Sequence, residues 1–189
     1  FKFQLISNLE ADEEKIRSSQ MFKDALLLNN IDFSIIYLTE TMLKKSTIDA
    51  TKPLKEMLKT KGIHDYEVQG QGTAHKVHKS GIIVDGNNLV TITASLYRPS
   101  SGNGDPRIWF QGLNKYGESE EEILIFCIQN ELVLVNISRE EVLQKWNDPT
   151  SPLGTLLGSE FYKNHGGNLG EITTDGINED DLNVQLNQK

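Results

Sequence analysis

One cysteine in 189 residues excludes an intrachain disulfide. Cys127 lies in an apolar run and reads as a small buried hydrophobe. No apolar run approaches the roughly 20 residues that span a bilayer, so no membrane partner is expected. No secretory signal is legible, and a reducing, cytoplasmic setting is expected. A Walker-type phosphate loop is missing. So is a dinucleotide fingerprint, because Gly70-Gln71-Gly72 lacks the further glycine and the helix that should follow. His75 and His78 are three apart, which on a strand points them to opposite faces, and there is no second cysteine to complete a metal site.

A metal-dependent nuclease needs clustered carboxylates near a lysine. Glu13-Glu14-Lys15 lies in a helical pattern, and Glu160 is followed by Lys163 one residue too late. No Ser, Cys or Lys sits in a recognisable nucleophilic constellation. The expectation is that this chain neither catalyses by itself nor carries a cofactor or metal.

What is present is an uneven distribution of charge. The formal net charge is −8, yet residues 41–115 hold eleven Lys and Arg against six Asp and Glu. The remainder holds eight basic and 21 acidic residues. A basic region on an acidic body is the footprint of an anion binder, and the plain alternative is lysines on solvated helix faces.

The length suits one domain with a real core. Residues 1–150 read as that domain, and residues 151–189 as a C-terminal extension or linker. Residues 1–6 alternate like a short strand, and residues 11–28 read as a helix with Phe22, Ala25 and Leu26 facing the core. Residues 33–38 form a strand. A helix starts near Lys52, carries the stripe Leu54, Met57 and Leu58, and closes at Gly62. Asp85-Gly86-Asn87-Asn88 is a hairpin turn leading into the strand at 89–97. Residues 118–122 read as a solvated acidic turn. Residues 123–128 and 132–137 form a hairpin with a three-residue loop, buried on both faces. Ser138 and Glu141 form a capping box for a last helix, on which Val142, Leu143 and Trp146 face inward. From Thr150 onward the chain reads as loop. The middle strands lack crossover helices. The fold class is therefore α+β and β-rich, a mostly antiparallel open barrel flanked by helices.

The richest stretch is 97–116, YRPSSGNGDPRIWFQGLNKY. A Gly/Ser/Asn/Pro loop has Arg98 and Arg107 at its shoulders, and Trp109-Phe110 are expected to anchor it in a core. Before it, Gln69-Gly70-Gln71-Gly72 is a turn leading to His75, Lys76, His78 and Lys79. Lys44, Lys45, Lys76 and Lys79 are candidate phosphate contacts. Arg98 and Arg107 suit phosphate or the fork of guanine. Gln71, His75 and Asn103 are candidate base-edge readers.

RPSSGNGDPRIWFQGL, with QGQGTAHKV before it and the FCIQNELVLVNIS hairpin after it, resembles the region ahead of the catalytic domain in MvaI/BcnI-type and EcoRII-like Type II restriction endonucleases. The resemblance covers residues 37–137. It implies a plant B-three-like pseudobarrel, an open barrel of about seven strands with two short helices. It also implies an effector or target-recognition domain that grips the major groove of double-stranded DNA between two arms. Residues 69–79 would belong to one arm and residues 98–107 to the other. The resemblance further implies a bacterial restriction-modification system, with Mg²⁺ needed only by a nuclease domain elsewhere in the parent chain. A homodimer is compatible with it. The acidic total charge, the sparsely basic arms and the long first helix depart from the family's pattern. Two other readings stay open: a metal-dependent nuclease with an unrecognised site, and a protein-interaction domain that works through its acidic face.

Overall fold

Between Lys2 and Leu28 there is no glycine or proline, and this stretch forms one helix, α1 (Lys2–Leu28). The strand expected at residues 1–6 is therefore helix from Lys2 on, because nothing interrupts propagation and every residue there tolerates it. The structure, a computed structural model, describes residues 2–143 and 145–163. The acidic, Asn/Gln-rich tail reading lies outside these residues. Asn30 takes a left-handed conformation and ends α1, with the Ile31 amide donating back to the Leu26 carbonyl.

Seven strands follow the order β1-β6-β7-β3-β4-β5-β2 and curl into a nearly closed barrel with a seam, flanked by helices. They are β1 (Phe33–Tyr37), β2 (Thr47–Asp49), β3 (Val77–Asp85), β4 (Asn88–Tyr97), β5 (Arg107–Phe110), β6 (Glu122–Ile128) and β7 (Glu131–Asn136). Only the β3–β7 pairing is parallel among these strands. The architecture expected from the order of elements is thus the one observed. Helix α2 (Glu40–Lys45) joins the two edge strands β1 and β2. Helix α3 (Lys52–Thr60) buries Leu54, Met57 and Leu58 in the barrel beside Ile36 of β1 and Ile48 of β2.

Side-chain alternation divides the apolar residues between two cores. Ile123, Ile125, Leu132 and Leu134 point into the barrel with Ile83, Ile92, Leu96, Ile108 and Phe110. Leu124, Phe126, Val133 and Val135 point outward, beneath Phe22 and Leu26 of α1 and Val142, Leu143 and Trp146. This is why the two strands read as unbroken apolar runs. Helices α4 (Glu140–Leu143), α5 (Pro152–Leu157) and α6 (Ser159–Lys163) complete the outer layer. Leu153, Leu157 and Phe161 are buried in it, and the Tyr162 hydroxyl donates to the Trp146 carbonyl at 2.6 Å. The loop reading after Thr150 is corrected accordingly. Ser151 caps α5 by accepting from the Gly154 amide, so a short polar residue starts a helix where composition alone suggested loop.

Two further corrections concern local chemistry. The acidic turn at 118–122 is not simply solvated. The Glu121 carboxylate accepts from Asn136 Nδ2 at 2.7 Å, from the Glu118 amide at 2.7 Å and from the Arg139 guanidinium. Asn136 is buried and also donates to the Tyr116 carbonyl. Ser138 does not build a capping box; its Oγ accepts from the Glu122 amide at 2.8 Å. Burial pushes the Glu121 carboxyl up, but the bonds from Arg139, Asn136 and the Glu118 amide outweigh it and hold it below its ordinary value. A depressed carboxylate contributes stability above its unfolded value and loses it as pH falls through the folded one. Glu121→Gln should therefore cost about 1–3 kcal/mol at neutral pH by urea unfolding, with a weaker loss of stability than the parent below about pH 4.

The β6–β7 hairpin turns in two residues, not three. Ile128 pairs with Glu131, and Gln129 and Asn130 take φ of 50° and 67°. That is the primed turn whose twist matches the strands, and it favours Asn-Gly. Gln129→Asn with Asn130→Gly should raise stability by about 1 kcal/mol, read as a higher urea midpoint at unchanged slope.

Candidate nucleic-acid interface

The helical layer covers the outer wall of the barrel over β6, β7 and the end of β3. Among the described residues, the wall built from β2, β5, β4 and the start of β3 carries no helix of that layer over its middle, and Thr91, Thr93, His78 and Ser80 are exposed on it. The two sequence-flagged loops rise at one end of this bare wall.

Gln69 ties them together. It is 8% exposed. Its Nε2 donates to the His75 carbonyl at 2.7 Å and to the Leu96 carbonyl at 3.0 Å. With both amide hydrogens spent, its Oε1 accepts from His64 Nε2 at 3.1 Å, which places the imidazole proton on Nε2. Burial lowers the His64 pKa, the Gln69 bond opposes this, and the charge of Lys79 lowers it further. His64 is therefore a neutral buttress, set edge-on against Tyr66 at 4.4 Å between ring centroids.

The backbone completes the junction. Gln71 forms a parallel bridge with Arg98, and the Gly72 amide donates to the Arg98 carbonyl at 2.8 Å. Arg98 Nε donates to the Gly104 carbonyl at 2.9 Å, and its Nη1 reaches the Gln69 carbonyl at 3.5 Å. Gly104 is buried with φ of 66°, and a Cβ there would collide with the Gln71 side chain. The His75 ring packs as closely on Gly70, where an added Cβ would lie 2.8 Å from it.

Gln71, His75, Lys76, Arg98 and Asn103 thus belong to one joined pair of loops rather than two separate arms. Asn103 is exposed between Gly102 and Gly104. Lys76 lies over the Tyr97 ring at 4.9 Å. Arg107 continues the patch one strand over, opposite Tyr97 and Asp49 in register. Its Nε stands 3.3 Å from Asp49 Oδ1 without hydrogen-bond alignment, and its carbonyl accepts from the buried Tyr66 hydroxyl. Lys79 is half-buried and alternates to the side of the strand away from His78, towards His64. Lys44 and Lys45 end α2, at the opposite end of β2 from Asp49, and are not brought to the loops.

The Arg98 side chain therefore has internal work, and Arg107 faces Asp49, neither of which spacing alone revealed. The expectation that Trp109 and Phe110 jointly anchor the loop is half right. Ile108 and Phe110 point into the barrel, and alternation turns Arg107 and Trp109 outward. That alternation in RIWF was the signal for Trp109. Nothing local marked Gln69, whose partners lie 6 and 27 residues away.

Elsewhere, Lys59 pairs with Asp65 and Glu67, Lys61 with Asp32, and Lys52 with Glu56, so this part of the basic region is locally neutralised. A groove of about 430 Å³ between α3 and Arg98 is lined by these mixed charges. Burial pushes the Cys127 thiol up to about 11, which keeps it protonated at neutral pH. Among the described residues, no helix is long and apolar enough to cross a membrane, and no group of three or more His, Cys, Asp or Glu is placed to hold a metal ion.

Comparison of the chain with protein-family models, with curated proteins and with solved structures returns no match.

Gly104→Ala should strain the left-handed backbone and expel Gln71. Loss of about 1–3 kcal/mol in thermal or urea unfolding is expected, with hydrogen exchange at the Gly72 amide accelerated. Unchanged exchange there would mean that the loops do not depend on this contact.

Proposed function

We propose that this chain binds double-stranded DNA sequence-specifically, as the effector or target-recognition domain of a bacterial Type II restriction endonuclease. The observation that carries the reading is the joined loop pair. Exposed Gln71, His75, Lys76 and Asn103 stand on one rigid base with the partly exposed Arg98 and Arg107 beside them. Cations set register on phosphates, and amides and imidazole on the same base read edges in a groove. The open barrel supports the family resemblance noted in the sequence, and that resemblance supplies the restriction setting, including a Mg²⁺-dependent nuclease domain in the parent chain and a homodimer.

Because the Arg98 side chain holds the loops, truncating it confounds charge with folding. Lys76→Glu together with His75→Ala is the cleaner probe. Fluorescence anisotropy on selected and random duplexes should show affinity falling at least about tenfold in this variant. For the parent, log affinity against log salt should fall with a slope between about −2 and −5, from a handful of phosphate contacts. Affinity indifferent to salt, or equal in parent and variant, would sink the reading.

A further inference from the structure

The bare wall has a second feature besides its loops. Strand register aligns Trp109 of β5, Ser95 of β4 and His78 of β3 in one row across the outer face. Ser95 is 5% exposed, and its Oγ is 2.8 Å from His78 Nδ1, which holds the imidazole in place. Two ring side chains thus flank one small residue, two strand spacings or about 10 Å apart. The next row holds Gln111, Thr93 and Ser80, with Glu131 beyond it accepting from the Ser80 hydroxyl. A shallow basin of about 410 Å³ lies over His78, Ser80, Thr91, Thr93 and Gln111, with Lys79 and Ile92 also lining it and Trp109 one register row away. The row on the other side is Asp49, Arg107 and Tyr97, with Lys76 over the tyrosine.

We infer that this basin takes a single unpaired nucleobase, held beside the duplex that the loops engage. The inference rests on the DNA reading and adds a separate site to it. Rings suit the apolar faces of a base, and stacking is tolerant of base identity. The hydroxyls of Ser80, Thr91 and Thr93 and the Nε2 of Gln111, whose Oε1 already accepts from the Thr93 amide, bond base edges rather than neutralise phosphate, and Lys79 is the cation among the lining residues. Lys76, Arg98 and Arg107 lie at one side only, where the strand's phosphates would run. Glu131 at the opposite side disfavours phosphate there. Charge therefore orients the strand, and the rings set where its base goes.

The test uses three probes: a perfect duplex, the same duplex with one bulged nucleotide, and a single-stranded oligonucleotide of one of its strands. The bulged duplex should bind about tenfold more tightly than the perfect one. In Trp109→Ala the two duplexes should bind alike, and Trp109→Phe should restore part of the difference. In the unmutated protein, stacking should quench Trp109 fluorescence with the bulged duplex but not the perfect one. Trp146 is 2% exposed and contributes a constant background. Equal affinity for both duplexes, or no differential quenching, overturns the inference and leaves the duplex reading standing. Binding of the single strand alone, with quenching, supports the basin and defeats the duplex reading. Absence of binding to all three defeats both.

Discussion

The burial of β6 and β7 on both faces governs the rest of this molecule. Each residue of 123–126 and 132–135 packs either into the barrel with Ile92, Leu96 and Phe110 or outward beneath Phe22, Leu26 and Trp146. A one-residue slip would exchange the two sets and put the wrong shapes in both cores. The primed turn at Gln129-Asn130 and the bonds among Glu121, Asn136, Arg139 and Ser138 hold the hairpin at its two ends. Because the helices need the outward apolar set, they gather on that side of the barrel. Among the described residues, the middle of the opposite wall is left without them, and the outward residues there, His78, Ser80, Thr93, Ser95 and Trp109, are polar or aromatic.

That asymmetry leaves the loops on the uncovered side of the barrel. The bare wall ends in the loops joined by Gln69, whose amide spends all its bonds on holding two loops and His64. Gln71, His75, Lys76 and Asn103 keep their exposure because Gln69, Arg98, Gly70 and Gly104 do the holding. The arrangement separates positioning residues from presenting ones within a single stretch of sequence.

Local patterns in the sequence were sufficient for elements that local chemistry determines. The stripe Leu54, Met57 and Leu58, the Asp85–Asn88 turn and the two apolar strands are set by periodicity and turn residues, and they stand as expected. The open barrel followed from the absence of crossover helices. What could not be read depends on distant partners. Glu121 looks solvated until Asn136 and Arg139 arrive from across the hairpin. Arg98 looks like a free cation until the Gly104 carbonyl folds back onto it. The loops look like two arms until the Gln71–Arg98 bridge joins them. Residues beyond Thr150 read as loop because the partners of Leu153, Leu157 and Phe161, among them α1 and Trp146, are distant in sequence or outside the segment.

The charge pattern also acquires a physical meaning once pairs are assigned. Lys52, Lys59 and Lys61 answer to carboxylates within reach, so the basic region of the sequence is larger than the basic surface. Among the described residues, the cations near the loops without a carboxylate partner are Lys76, Lys79 and Arg98, and Arg107 shares its charge with Asp49. The acids Glu10, Asp12, Glu13 and Glu14 are exposed on α1, the helix that packs over β6 and β7. A polyanion approaching such a molecule is repelled by one element and attracted by another. On the proposed DNA reading, net charge would lower affinity overall while orienting the encounter. On that same proposed reading, an acidic protein with a small cationic patch would depend on amide, hydroxyl and ring contacts for whatever affinity a few phosphates do not supply.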